Sequence, residues 1–431
     1  MGRYLTVAEV ADSARQLVSR YPGTGRLRRI GASRAGRPIL MLSVGHGPRH
    51  VLVVARPHPD EPVGGATALA LAEQVARGDR LSPATDPALA TWDIILCLDP
   101  DGAALSRGIE EATAGPDHTL DHYYRTAYRP VAAEQPEWAP IESRQLPESQ
   151  ALFDVIDELR PFLQCSLHGV EAGGSWVQST LDLPALAVPF LTSATELGIP
   201  VQRGTFDALY WENPGPGIYV LPAPDSTHRL AAGSANIASS TWCAPSRYGG
   251  VTAIVEVPMW ASDLADDLSP HPEADAVLRD LAALVRDGGR RVTAVLDRAR
   301  PFLPPAQDSP PRRVLEWMAD GLYDLVADSW APLARQTAGG SRRLTTAQIC
   351  ALDIVARRQP LRAAGLLLRL LKASDDTAAP LLHRELDELF TTWCTDFEKA
   401  LRLRWVPVRR QVEHQARTVV AAAESALTAV R

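Results

Sequence analysis

The chain has 431 residues, 46% hydrophobic and 22% charged, with 44 basic against 51 acidic side chains and a formal net charge of −7. At about 150 residues per domain this length suits two or three domains, and the composition excludes a disordered chain, a coiled-coil rod and a disulfide-stapled mini-protein. No basic surplus exists to drive binding to a phosphate backbone, so nucleic acid is not expected as a partner.

The five cysteines (Cys97, Cys165, Cys243, Cys350, Cys394) are odd in number, widely spread and without a CxxC pair. They read as buried free thiols. No apolar segment follows Arg3, so no secretory leader is expected. No stretch reaches the roughly 18 apolar residues of a membrane span. The expected compartment is the cytoplasm, with no membrane partner.

Residues 6–20 place apolar side chains at helical spacing, and Thr6 with Glu9 three positions later forms a capping box. Tyr21-Pro22-Gly23 ends that helix. Strand-like runs follow at Leu27–Gly31, Pro38–Val44 and His50–Ala55, the last continuously apolar and suited to burial on both faces. A loop, RPHPDEPVGG, leads into a helix over 66–77. Trp92–Leu98 reads as a strand, Ser149–Leu159 as a helix, and Phe162–Leu167 and Ala253–Val257 as further strands. This alternation predicts an α/β sheet domain. Residues 204–246 crowd Gly, Pro, Ser and aromatic side chains, the composition of a long loop beside a sheet. The proline-rich stretch 301–312 marks a linker between a domain over 1–300 and a C-terminal all-α helical domain over 313–431, where Val314, Trp317, Met318, Leu322, Leu325 and Val326 recur at helical spacing.

The chemistry concentrates in Arg56-Pro57-His58-Pro59-Asp60-Glu61, a loop at the C-terminal edge of a buried strand, where open α/β sheets bind ligands. His58 and Glu61 are three apart in a tight turn, close enough to grip one cation. A second strand ends in His168, and a third carries Glu256 inside an apolar run, where a carboxylate needs a partner or a perturbed pKa. Alone, each histidine reads as an ordinary loop or strand-end residue. Together, His58, Glu61 and His168 make a His₂Glu set with a fourth position open for water, the arrangement of a catalytic zinc ion. Glu256 is then the base that takes the water's proton rather than a ligand.

In these residues the chain resembles the zinc carboxypeptidase family over roughly residues 4–300. The matching pieces stand in order: an opening helix with the GASRAGRPI strand pair, HPDE at 58–61, DPDG at 99–102, PESQALFDVIDELRP leading to SLHG at His168, and VEVP at Glu256. The resemblance implies a mixed central sheet flanked by helices, one Zn²⁺ on His58, Glu61 and His168, and Glu256 as catalytic glutamate. It also implies where this chain departs. Asp60 stands where the family usually carries Arg between the first two ligands. The Asn-Arg pair that holds a substrate carboxylate is absent from LDHYYRTAYRP. Arg107, Arg125 and Arg129 are the remaining candidate carboxylate clamps, with Arg107 preferred for the oxyanion because it follows the DPDG turn. Tyr219 and Tyr248 stand in for a tyrosine that the family carries before the glutamate.

The expected function is therefore zinc-dependent hydrolysis of an amide bond in a small or modified peptide, in a carboxypeptidase-like manner and fitting a tailoring pathway. Two alternatives remain open: an aspartoacylase-type deacylase of N-acyl amino acids, suggested by HPDEPVGG, and a metal-free pseudo-peptidase serving as a binding module. The helical domain is expected to offer a surface for homo-oligomerisation. Asp117, His118 and His122 read as a surface or pocket-rim segment, Asp225 and His228 as loop residues, and Asp60 as a group that orients a ligand or caps the next helix.

Overall fold

The computed structural model describes residues 2–78, 82–112, 118–137, 145–206, 208, 211–222, 240–340 and 342–429. The capping box forms as the sequence requires: the Thr6 hydroxyl accepts from the Glu9 amide and the Glu9 carboxylate accepts from the Thr6 amide, opening α1 (Val7–Arg20). After it come β1 (Gly25–Ala32), β2 (Pro38–Val44), β3 (Arg49–Ala55), α2 (Val63–Arg77) and β4 (Ala90–Ile95). Next are the short helices α3 (Pro100–Leu105), α4 (Gly108–Ala112) and α5 (Leu120–Thr126), then α6 (Pro147–Leu159), β5 (Leu163–Gly173), β6 (Trp176–Ser179) and α7 (Ala187–Leu197). A small hairpin of β7 (Glu212–Gly215) and β8 (Ile218–Val220) interrupts the loop read over 204–246, and β9 (Val251–Ala261) follows.

The strands form one mixed sheet in the order β1-β2-β4-β3-β5-β9-β6-β8-β7. Its centre, β4-β3-β5-β9, is parallel, and the pairs outside it are antiparallel except β6-β8, which is parallel. The period of two in β3 divides the core. Val51, Val53 and Ala55 join α1, α2 and the inner residues Leu163, Cys165 and Leu167 of β5 in one cluster, while Leu52 and Val54 join Leu152, Val155 and Ile156 of α6 on the opposite face. Each fully buried Leu or Val contributes roughly 2 kcal/mol.

The strand expected to end at His168 continues past it, as does the strand that carries Glu256. β5 and β9 both run on for five further residues, paired from Leu163↔Val251 through His168↔Glu256 to Gly173↔Ala261. β3 stops at Ala55, opposite Leu167. The two residues thus sit in mid-strand, one step beyond the edge at which β3 turns away, and the ladder they share continues past them.

The C-terminal part is helical: α8 (Ala274–Ala299), α9 (Pro310–Trp317), α10 (Tyr323–Ser329), α11 (Ala331–Ala338), α12 (Thr346–Lys372), α13 (Ala379–Ala400) and α14 (Val408–Ala429). A two-residue strand, β10 (Arg404–Trp405), pairs with the end of β9. These helices build on the sheet. Val419, Ala422, Ala423 and Ala426 of α14 share the core of α2 and β3, while α8, α12 and α13 enclose a second core with Tyr123 and Tyr124 of α5. Within α12, Gly365 has no side chain because a Cβ there would collide with the Tyr124 carbonyl. All five cysteines are free, four of them buried and Cys243 partly so. No helix among the described residues is long and apolar enough to cross a membrane.

Candidate metal centre and active site

The loop carrying His58 and Glu61 is held from its first residue. Arg56 leaves β3 with φ of 48°, a left-handed conformation that a non-glycine residue adopts at a cost. Its buried guanidinium offsets that cost: Nε and Nη2 donate to the Pro59 carbonyl at 3.2 and 3.0 Å, and Nη1 donates to Glu110 at 2.6 Å. The Glu61 amide closes the turn on the His58 carbonyl at 3.3 Å. Gly64 lets α2 start against this turn, since a Cβ would stand 3.1 Å from the Arg56 backbone nitrogen.

The turn points its side chains at β5. Glu61 lies between two histidines, with Oε1 3.0 Å from His58 Nδ1 and Oε2 3.0 Å from His168 Nδ1. The ligand atoms of all three residues lie within 4.8 Å of one another. Glu61 Oε2 also accepts from the Gly169 amide at 3.2 Å, and Glu256 Oε1 is 3.8 Å from His168 Nδ1. His168, Glu61 and Glu256 are all buried.

Glu137 is a site residue that the sequence reading missed. Its Oε2 lies 2.9 Å from His168 Nε2, and its Oε1 accepts from the Ser166 hydroxyl at 2.7 Å. A proton on Nε2 shared with Glu137 would leave Nδ1 as the atom of His168 able to coordinate a metal. The signal available was the alternation Gln164, Ser166, His168 on one face of β5, against Leu163, Cys165 and Leu167 on the other.

The electrostatics favour a cation. Burial and the nearby Arg129 charge push the His58 pKa down, which keeps it a neutral ligand. Burial works against charge on Glu61, but His58, Arg129 and His168 outweigh it and hold the carboxyl well below its usual range. Burial also works against charge on His168, yet Glu61, Glu137 and Glu256 raise its pKa well above the ordinary value. Carboxylates that favour a proton on that ring favour a divalent ion in the proton's place. Two imidazole nitrogens and a carboxylate converging on one point, with one ring fixed by an outer carboxylate, is a donor set that fits zinc.

Beside the three donors runs a ladder of alternating charges. Arg129 pairs with Glu61, and its Nε is 3.0 Å from Asp60 Oδ1. Arg362 Nη2 is 3.4 Å from both Asp60 Oδ2 and Glu171 Oε2, and Arg358 Nη1 is 3.8 Å from Glu171 Oε1. The Tyr123 hydroxyl donates to Asp60 at 3.4 Å and that of Tyr124 to Glu171 at 3.2 Å. Asp60 therefore holds arginines and does not cap α2, whose N-terminus has no side-chain cap. The donors and the arginines open on one cavity of about 380 Å³, and Ala351, Ile354, Val355, Arg358 and Arg362 give one face of α12 to its wall.

Of the residues singled out from sequence, His58, Glu61, His168, Glu256 and Arg129 line this cavity. Arg107 is exposed and is absent from the cavity wall. Arg125 pairs with Asp121 and Asp387, each at 2.6 Å, and lies over the Phe390 ring. The Tyr219 hydroxyl donates to the Gln202 carbonyl at 2.9 Å, while Tyr248 is exposed and donates to Asp157 at 3.0 Å. The structure gathers neither tyrosine into the cavity wall. His118 stacks on Trp405 at 4.1 Å and His122 is exposed. Asp117, Asp225 and His228 lie outside the described residues.

No curated protein sequence matches the chain significantly. A metallo-carboxypeptidase of Burkholderia cenocepacia aligns with 16% identity over 58% of this chain and 58% of its own, with a TM-score of 0.38. Carboxypeptidase A of Helicoverpa armigera aligns with 14% identity over 59% and 65%, also at 0.38. A metallo-carboxypeptidase of Pseudomonas aeruginosa aligns with 19% identity over 57% and 58%, at 0.30. The chain thus spans less than two thirds of the length of each of these structures. Residues 10–173, the stretch that carries His58, Glu61 and His168, match the family model of the zinc carboxypeptidases.

Proposed function

We propose that the chain is a zinc-dependent hydrolase that cleaves an amide bond in a small or modified peptide, in a carboxypeptidase-like manner. The observation that carries this reading is the convergence of His58, Glu61 and His168 within 4.8 Å, with the Glu256 carboxylate 3.8 Å from one of the donors. The family match over residues 10–173 supports the same chemistry. A zinc ion at this donor set would supply Lewis acidity, polarising a carbonyl and making water acidic near neutral pH.

The chain's own residues then have distinct tasks. Glu256, on β9 beside the donors, accepts the proton of the attacking water and returns it to the leaving amine. Arg129, one ion pair away from Glu61, is the cavity arginine placed to steady negative charge on the carbonyl oxygen, the task expected of Arg107 from sequence. Glu137 keeps His168 in the coordinating tautomer.

The test is the Glu256→Gln variant. It is expected to bind about one zinc per chain, like the wild type, and to lose at least about 10²-fold in turnover on N-acyl dipeptides. Full activity of that variant, or less than a tenth of an equivalent of zinc in the wild type purified without chelators, overturns the proposal. Turnover of N-acyl amino acids with none of N-acyl dipeptides would make the chain a deacylase instead.

A further inference from the structure

We infer that Arg358, supplied by the C-terminal helix α12, is a specificity-determining residue that anchors a carboxylate of the substrate. The inference rests on the metal cavity being the substrate site. It concerns a residue beyond the stretch 10–173 that matches the zinc carboxypeptidases.

Arg358 lines the cavity with its side chain four-fifths buried. A guanidinium so enclosed normally has hydrogen-bonded carboxylate or carbonyl partners. Arg358 makes no hydrogen bond to any described residue. Its Nε is shielded from solvent without a partner, and its nearest carboxylate oxygen, on Glu171, is 3.8 Å away. Glu171 is already engaged by Arg362 at 3.4 Å and by the Tyr124 hydroxyl at 3.2 Å. The ladder runs Glu61, Arg129, Asp60, Arg362, Glu171, Arg358. Arg129 and Arg362 each lie between two carboxylates, whereas Arg358, at the far end, has only Glu171 beside it and its donors are idle.

A carboxylate entering the cavity would meet a planar guanidinium whose donors have no hydrogen-bond partner. Aromatic wall residues, Trp176, Trp211 and Trp317 among them, offer an apolar surface for the group that bears it. The carboxylate has two chemical sources, a peptide's chain end or an acidic side chain.

Three small probes separate the possibilities in calorimetric titration of the zinc-loaded full chain. They are 3-phenylpropionate, its neutral amide 3-phenylpropanamide, and 4-(2-carbamoylethyl)benzoate, whose carboxylate sits on the ring. A charge-assisted hydrogen bond in such a site is worth roughly 10- to 100-fold in affinity. At least one acid is expected to bind that much more tightly than the amide. Arg358→Gln is expected to bring the ratio close to one, and Arg358→Lys to restore part of it. Preference for the first acid assigns a chain-end carboxylate, and preference for the second an acidic side chain. Zinc content and unfolding midpoint should stay at wild-type values in Arg358→Gln, which has no hydrogen bond to lose.

Equal binding of acids and amide, discrimination that survives Arg358→Gln, or no binding of any probe overturns the inference. Turnover is read separately. A chain that discriminates without hydrolysing peptides defeats the hydrolase reading alone, and one that hydrolyses without discriminating defeats only the role of Arg358.

Discussion

The Gln415 side chain donates from Nε2 to the main-chain carbonyl of His168 at 2.7 Å, joining the last helix to the backbone of a proposed metal ligand. The same nitrogen donates to the Val255 carbonyl at 3.0 Å, next to Glu256, and the amide oxygen accepts from the Thr67 hydroxyl of α2 at 2.7 Å. One buried amide thus spans β5, β9 and α2 at the level of the site.

Gln415→Leu keeps the size of the side chain and removes these three bonds. Two buried carbonyls and a hydroxyl lose a partner, so the variant should be destabilised by about 2–4 kcal/mol. It should also bind zinc more weakly, because the backbone at His168 is less constrained. Urea denaturation with and without zinc measures both effects. Wild-type stability together with wild-type zinc affinity would mean that the span has no energetic consequence.

Glu137 offers a second handle on the metal site. It touches His168 and none of the other donors, at 2.9 Å from Nε2. Glu137→Ala should lower zinc affinity by about 10- to 100-fold, the usual effect of removing a carboxylate that orients a histidine ligand. Glu137→Gln can still accept from Nε2 and should lose less. Competition for zinc against a chelating dye ranks the three proteins, and equal ranking would remove Glu137 from the site.

How much of this was legible in the sequence varies with how local the signal is. His58 and Glu61 share one turn and could be read directly. His168 and Glu256 stand out as polar residues in apolar strands, and their order along the chain completed the set. Glu137 comes from an irregular stretch without periodicity, so nothing local tied it to the ring it faces. Arg358 and Arg362 were unreadable for a different reason. A helix with an apolar stripe is expected to turn its arginines to solvent, and only the tertiary placement of α12 against β5 shows that one of its faces closes a cavity. Arg107 was favoured because the DPDG turn comes near the site, yet it stands in the bend between α3 and α4 with its side chain exposed, while Arg129, after α5, lines the cavity.

The crossing of α12 over α5 is as tight as backbone contact permits, because Gly365 sits against the Tyr124 carbonyl. In a free helix Gly→Ala would add stability by about 1 kcal/mol. Here Gly365→Ala should do the reverse and destabilise by about 1–3 kcal/mol, since the added carbon forces the helices apart. Arg362, one turn earlier on α12, would move with the helix away from Asp60 and Glu171. The sign of the change in denaturation midpoint decides the matter, and a stabilised variant would show that the crossing can relax.

His414 gives the fold a calculable sensitivity to acid. It is fully enclosed on α14, with Nε2 2.9 Å from the Ser175 hydroxyl and Nδ1 2.9 Å from that of Ser193. Ser175 spends its own proton on the Glu256 carbonyl at 2.7 Å, so it accepts from Nε2–H, and Ser193 donates to Nδ1. Neither ring nitrogen faces a carboxylate. Burial, helped by the Arg417 charge, lowers the pKa from 6.5 to about 3. Below pH 6.5 the unfolded chain takes up a proton at this residue that the folded chain refuses until about pH 3, so folding stability falls as pH falls across that window. The slope is at most about 1.4 kcal/mol per pH unit from this one group. His414→Gln cannot take up that proton in either state. Its stability at neutral pH should be lower, by about 1–2 kcal/mol for the altered hydrogen bonds. Between pH 6 and pH 4.5 its loss of stability should be shallower than that of the wild type by roughly one proton's worth. Parallel denaturation curves at several pH values give the two slopes, and identical slopes would show that His414 is protonated as readily in the folded chain as in the unfolded one.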